Sequence, residues 1–416
     1  MTRSSYSAVA ADLGTPLSAE AVRARAGTSA GTCGALVIGG AHGSLSVIRS
    51  LGRHGIPVCF LTDDHVIAKF SRYTRSTFHW NSPDRPDAAE DLIQLAARHK
   101  LEGWVLLPGG DAEARLIAQN HQALSAVFRV TTPPWEVLRF ANDKHLTYQR
   151  AAELGMDHPW SYYPQGREDL ARLECRFPVI LKPTVRQQIN AFTQAKAWRV
   201  DDRAALLARY DEAVSLVGKD SIVIQELIPG NGSAQYSYAA VWDENGPVAS
   251  LVAQRARQYP ITFGYTSTYV RSIDEPKIEE LATRFLRSIG YTGMVEVEFK
   301  FDSRDGRYKI LDVNARTWTW NALGRLAGVD FPLTMFQLAL GASVPEVRGR
   351  PGAAWMHFSR DAVAAIQEMW AGTLSPMQYL KSLCAPIEFA AFAIDDPLPG
   401  LIDLPLVLHR LWTKRR

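Results

Sequence analysis

Two apolar runs that carry three carboxylates set the tightest limit on how this chain can fold. They are Gly293-Met-Val-Glu296-Val-Glu298-Phe and Ile310-Leu-Asp312-Val-Asn314-Ala-Arg316, separated by the polar turn Asp302-Ser-Arg-Asp-Gly306. Apolar runs joined by such a turn read as a β-hairpin. Side chains alternate faces along a strand, so Glu296 and Glu298 share one face, and Asp312 and Asn314 share a face of the partner. A solvated hairpin face is the competing reading, since exposed acids are the norm. The flanking Val295, Val297, Phe299, Ile310, Leu311 and Val313 argue against it. Strands that apolar tolerate so many carboxylates only when a cation neutralises them. Three carboxylates and an amide oxygen are hard donors, suited to Mg²⁺ or Mn²⁺ bridging nucleotide phosphates. Arg316 can meet a phosphate oxygen or an acyl phosphate.

The remaining chain supplies the scaffold. Ala35-Leu-Val-Ile-Gly39, Pro57-Val-Cys-Phe-Leu-Thr62, Trp104-Val-Leu-Leu107 and Val127-Phe-Arg-Val130 read as strands with helical stretches between, such as Ser44 to His54. Strands alternating with helices predict a parallel, doubly wound α/β sheet that ends near Pro133-Pro134. From Pro178 the strands are separated by Gly, Pro, Asn and Asp, which predicts an α+β region with antiparallel pairing. Those strands are Val179 to Lys182, Ile222 to Gln225, Tyr236 to Trp242, Val248 to Gln254 and Thr266 to Val270. Helices are expected over Lys277 to Ser288 and Asp361 to Trp370.

Several function classes fall away. The 416 residues exceed one compact core. Hydrophobic residues at 47% and charged ones at 21% are ordinary for a soluble globular chain. Forty-six basic and 43 acidic residues leave a net charge of +3 without a basic block, so no nucleic-acid partner is expected. No window reaches the roughly 18 apolar residues of a transmembrane helix. Residues 1–33 lack the apolar core of a secretory signal. The scattered cysteines, Cys33, Cys59, Cys175 and Cys384, suggest no structural zinc and fit a cytoplasmic setting. The glycines of Gly39-Gly-Ala-His-Gly43 do not fit G-x-G-x-x-G, and the chain has no P-loop, so any use of ATP needs another architecture.

Other basic residues are open to two readings. Lys182 ends the run Phe177-Pro-Val-Ile-Leu-Lys182-Pro183, either as a snorkelling edge residue or as a phosphate clamp. Lys144 opens a helix and by itself reads as surface decoration. In Gln254-Arg255-Ala-Arg257, two arginines on one strand face suit a carboxylate or acyl phosphate, or lie solvated.

Taken together, the pattern resembles the ATP-grasp superfamily from about Asn142 to Pro332. The resemblance implies ATP held between two lobes, with Lys144 and Lys182 as phosphate lysines. Ile224-Gln225-Glu226-Leu227-Ile-Pro-Gly230 matches the hinge that contacts adenine, partly through backbone. Glu298, Asp312 and Asn314 match the metal ligands, and Asp312 stands where the family usually has Glu. The family's glycine-rich lid loop is replaced by Thr184-Val-Arg-Gln-Gln-Ile-Asn190, where Arg186 is a candidate phosphate cover. Gln254 to Pro260, Trp318, Gly328 to Pro332 and Asp395-Asp-Pro-Leu-Pro399 are similar to the carboxylate–amine ligase branch that includes D-aspartate ligases. Residues 1–33 read from their composition as a flexible leader, and the resemblance implies a pre-ATP-grasp α/β domain at 34–135, an ATP-grasp domain at 136–345 with a mobile lid at about 160–225, and a C-terminal extension at 346–416. It implies a cytoplasmic ligase that consumes ATP with Mg²⁺ (or Mn²⁺). An acyl phosphate held by Arg257 and Arg316, with Lys182 stabilising charge, would pass to an amine. The substrates would be a small carboxylate and an amine, amino acid or peptide. A kinase-like or carboxylating enzyme, or a non-catalytic ATP-binding scaffold, are the alternatives, and a homodimer is left open.

Overall fold

The computed structural model describes residues 33–413 except Asp64, 185–189, Lys196 and Tyr265. The expected leader, apart from Cys33, lies outside the described residues, as does Arg186. No described helix is long and apolar enough to cross a membrane.

Three sheets follow one another along the chain. The first is parallel, built from β1 (Ala35–Ile38), β2 (Val58–Thr62), β3 (Thr74–His79), β4 (Val105–Pro108) and β5 (Arg129–Val130), in the order β3-β2-β1-β4-β5. β1, β2 and β4 are buried along their whole length, as parallel strands covered on both faces must be. β3 was not foreseen. Its residues alternate half-buried and exposed at a sheet edge, without the apolar run of its neighbours.

The second sheet is antiparallel and small: β6 (Ser161–Tyr162), β7 (Val179–Pro183), β8 (Trp198–Val200) and β9 (Ile222–Glu226), ordered β6-β9-β7-β8. With the helix Arg203–Val217, capped by Asp202, it closes a core of its own around Leu181, Phe192, Leu206 and Ile224. Burying each of those large side chains contributes about 1.5–3 kcal/mol.

The third sheet has eight strands. β10 (Gln235–Trp242), β11 (Pro247–Tyr259), β12 (Thr266–Ile273), β13 (Gly293–Asp302) and β14 (Arg307–Asn314) pair antiparallel, and β15 (Val347–Arg348), β16 (Ala354–Met356) and β17 (Ile387–Phe389) extend it. The sheet is buried on both sides. One face packs Val241, Leu251 and Trp355 against the helix His42–Arg53 and the Trp318–Phe336 region. The other packs Tyr238, Val252, Val295 and Val297 against the helix Pro276–Ser288. That helix starts with proline at its first turn and buries Ile278, Leu281, Ala282, Phe285 and Leu286, an apolar stripe at helical spacing.

The pair Asp395-Asp396, from the segment similar to the carboxylate–amine ligase branch, is a fastening. Asp396 accepts from Arg49 Nε at 2.9 Å and Ser71 Oγ at 2.7 Å, and Asp395 accepts from Arg53 Nε at 2.7 Å and Tyr73 Oη at 2.8 Å. These bonds tie the C-terminal segment to the first sheet.

Candidate active site

β13 and β14 pair with Glu296 opposite Asn314 and Glu298 opposite Asp312. The two same-face pairs read from strand alternation therefore meet across the hairpin. On the other side of β13, Ser237 of β10 stands opposite Glu298. Val295, Val297, Phe299, Ile310 and Val313 fill the core beneath. The apolar half of the alternation thus fixes the position of the polar half.

Glu296 is the buried member. Its Oε1 accepts from Ser237 Oγ at 2.9 Å and Trp320 Nε1 at 3.0 Å, and its Oε2 accepts from Asn314 Nδ2 at 3.2 Å. Burial, and then the charge of Glu298, push its carboxyl above the usual range. Glu298 is less deeply placed, accepting from Asn314 Nδ2 at 3.1 Å with Arg255 3.3 Å away. Asp312 forms an ion pair with Lys144. Lys144 is the first residue of the helix Lys144–Glu153, whose start Asp143 caps by accepting from the His145 backbone at 2.8 Å. Desolvation lowers the proton affinity of the Lys144 ammonium, but the Asp312 charge and hydrogen bond together with Tyr148 and Glu298 outweigh it, and the net shift is upward. Arg316 donates to Asn314 Oδ1 at 2.9 Å and Asp111 Oδ1 at 2.8 Å.

A hydrogen-bonded chain links this cluster to the small sheet. Lys182 Nζ donates to Gln225 Oε1 at 2.6 Å, and Gln225 Nε2 donates to Ser161 Oγ at 2.9 Å and Tyr148 Oη at 3.3 Å. Tyr148 in turn donates to the Leu311 carbonyl at 3.1 Å, one residue before Asp312. Tyr148 lies one turn beyond Lys144, on the same helix face. The sequence reading had overlooked it, although that spacing was there to find.

The residues expected at the hinge are arranged differently. The Gln225 side chain is buried in the chain just described, and its backbone lies between β6 and β7 in the small sheet. Glu226 is held by Lys309 at 2.7 Å, Arg304 at 2.6 Å and the Trp160 N–H at 3.0 Å. Burial opposes its charge, but those donors win and its carboxyl falls below the usual range. Leu227 is half-buried, with its N–H 3.4 Å from the Pro178 carbonyl.

Arg257 requires a correction. A bulge in the β11–β12 pairing falls between Arg255 and Arg257. Arg255 faces Glu298, whereas Arg257 is buried and donates to both oxygens of Asp361, at 2.9 and 2.8 Å. Its guanidinium also stacks over Tyr269 at 4.1 Å. A buried bidentate pair of this kind is a packing anchor, so Arg255 replaces Arg257 as the strand's contribution to the cluster.

Among the described residues, Glu296, Glu298 and Asp312 do not bring three ligand atoms within 4.8 Å of one another. Glu298 and Asp312 each face a fixed cation instead. The donor set nevertheless fits a hard divalent ion, because Glu298, Asp312 and Asn314 all offer oxygen.

Residues 252–347, which include β13 and β14, match the family described as carbamoyl-phosphate synthase L chain, ATP binding domain. D-aspartate ligase from Enterococcus faecium (strain Aus0004) is 26% identical over 249 residues, covering 56% of this chain and 58% of that protein. The carbamoyl phosphate synthase large chain of Thermomicrobium roseum is 23% identical over 275 residues, 63% of this chain but 25% of that one. The chain therefore spans little more than half of the first relative and a quarter of the second. Among solved structures, L-amino acid ligase from Bacillus licheniformis superposes with a TM-score of 0.58 at 17% identity, covering 77% of this chain and 78% of its own. The biotin carboxylase domain of 2-oxoglutarate carboxylase from Hydrogenobacter thermophilus gives 0.60 at 16%, covering 77% and 73%. The chain has the ATP-grasp fold, and its hairpin carboxylates lie in the segment that matches the carbamoyl-phosphate synthase L chain, ATP binding domain.

Proposed function

We infer that this chain is an ATP-dependent ligase that joins a carboxylic acid to an amine through an acyl phosphate, releasing ADP and phosphate. The observation that carries this reading is the register of the hairpin. It sets Glu298 across from Asp312 and Glu296 across from Asn314, with Lys144 and Arg316 on the same cluster. The similarity to D-aspartate ligase supports an amino acid as one partner.

In this reading ATP lies between the two antiparallel sheets. Lys144 and Lys182 meet its phosphates, and the backbone from Gln225 to Leu227 meets adenine. Glu298, Asp312 and Asn314 hold Mg²⁺ or Mn²⁺, which when bound withdraws charge from the phosphates. A phosphate competes with Asp312 for Lys144, which frees the carboxylate as the nucleotide enters. The acid's carboxylate oxygen attacks the γ-phosphorus in line, and the bond to the ADP oxygen breaks. Arg316 and Arg255 offer guanidinium groups to the acyl phosphate. The amine nitrogen then bonds to the carbonyl carbon, phosphate leaves, and the nitrogen gives up its proton. Lys182 reaches the cluster from the small sheet, so movement of that sheet would open and shut the site.

The test is ADP release from the full chain with pairs of amino acids and short peptides, with products read by mass. Release that requires both an acid and an amine, with an amide of the summed mass less water, supports the reading. A stable phosphorylated or carboxylated product would instead assign the chain to kinase-like or carboxylating chemistry on the same fold.

A further inference from the structure

The described residues hold one group of three or more His, Cys, Asp or Glu side chains whose ligand atoms all lie within 4.8 Å, and it shares no residue with the hairpin. It consists of His42, His357 and Asp403. His42 opens the first long helix after the glycine turn Gly39-Gly40. His357 precedes the helix Phe358–Trp370, immediately after β16. Asp403 comes from the helix Leu398–Thr413. Three distant parts of the chain thus converge on one point.

The three side chains are almost fully withdrawn from water, at 3%, 1% and 6% exposure respectively. His42 Nε2 lies 2.8 Å from Asp403 Oδ1, and His357 Nε2 lies 3.7 Å from Asp403 Oδ2. The two imidazole rings are 4.6 Å apart at 65°. His357 Nδ1 faces Ser359 Oγ at 3.3 Å, which fixes the ring and turns Nε2 inward. That buried Nε2 has no hydrogen-bond partner. A buried polar atom without a partner is rare in a native interior and calls for an explanation, of which an ion is one. A simple His42–Asp403 pair accounts for two of the residues and leaves His357 unexplained.

The geometry points to a divalent zinc site formed by His42 Nε2, His357 Nε2 and the Asp403 carboxylate. Two imidazoles and one carboxylate are a borderline donor set that suits Zn²⁺, unlike the all-oxygen hairpin, which suits Mg²⁺. Water completes the tetrahedron. Ser359 is the outer partner of one imidazole, and the His65 ring stands edge-on to His42 at 5.5 Å. The cation pins the C-terminal helix to the first sheet's helix, since His42 and Asp403 are 361 residues apart.

The experiment uses the full chain, stripped with a chelator, reloaded with Zn²⁺ and dialysed, with metal counted by elemental analysis. The expected result is one zinc per chain, lost in His357→Gln and Asp403→Asn and retained in Asp312→Asn. Thermal unfolding should shift upward with zinc in the native chain and in Asp312→Asn only. A second measurement does not depend on the variants folding: X-ray absorption of the zinc-loaded native chain should give a nitrogen/oxygen shell with imidazole scattering from two histidines. No zinc retained by the native chain overturns the site. So does zinc retained by both His357→Gln and Asp403→Asn, zinc lost in Asp312→Asn, or an absorption spectrum without imidazole.

Discussion

Asp312 stands directly across the hairpin from Glu298 and pairs with Lys144 at a half-exposed position. A pair that open to water contributes about 0–1 kcal/mol to folding. Asp312→Asn should therefore change thermal stability little while lowering ADP release by at least about 100-fold, because the amide cannot supply the negative charge a metal needs. Activity within a few-fold of the native chain would remove Asp312 from the chemistry. Glu113 gives a pH signature. Burial raises its carboxyl to about 7, against an ordinary value of about 4.3 in the unfolded chain. A folded value above the unfolded one means that this residue favours folding most below about pH 4, and that the contribution is lost as pH rises through about 7. Glu113→Gln should melt higher than the native chain at pH 8, with the gap closing toward pH 4; a constant gap would contradict this. At this scale the sequence was informative wherever local alternation decided the outcome. The shared faces of Glu296, Glu298, Asp312 and Asn314 came from spacing alone, whereas the phosphate roles proposed for Lys144 and Lys182 rest on the family resemblance. Arg257 differs from its expected role because its partner, Asp361, is 104 residues away and a bulge turns the strand between Arg255 and Arg257.

The elements differ in how they are held. The small sheet from β6 to β9 has its own core, while the eight-stranded sheet shares cores on both faces with the first sheet and the helices. Leu206 is fully buried in the small core, and Leu206→Ala should destabilise that unit by about 2–5 kcal/mol. Hydrogen exchange should then quicken across 161–226 and stay unchanged in β10 to β14. Uniform quickening would mean that the small sheet does not open on its own. Short strands such as β1 and β2 were legible because burial on both faces leaves a continuous apolar signature, and β13 because its apolar and charged residues alternate. β3, β16 and β17 were not. β3 lies at an edge with half its residues in water, and the other two are three residues each, recruited by pairing, β16 to β12 and β17 to β16, rather than by their own pattern.

Over the whole molecule, the C-terminal segment is fastened back onto the N-terminal one. Arg49 and Asp396 are both buried, and Arg49 also donates to the Ala391 carbonyl at 2.7 Å. Removing one partner of a buried pair costs about 3–5 kcal/mol, so Asp396→Ala should lower the melting temperature sharply while Asp395→Ala, half-exposed, lowers it less. Equal effects would contradict the difference in burial. This closure is not legible in the sequence, where Asp395-Asp396 carries only a family resemblance and nothing local reveals partners 342 and 347 residues earlier. The central claim concerns the hairpin, and one labelling measurement reaches it most directly. With the acid found by the ADP-release screen, labelled with ¹⁸O in its carboxylate, an acyl phosphate predicts one ¹⁸O in the released inorganic phosphate. Phosphate that carries none, while amide and ADP still form, would contradict the account.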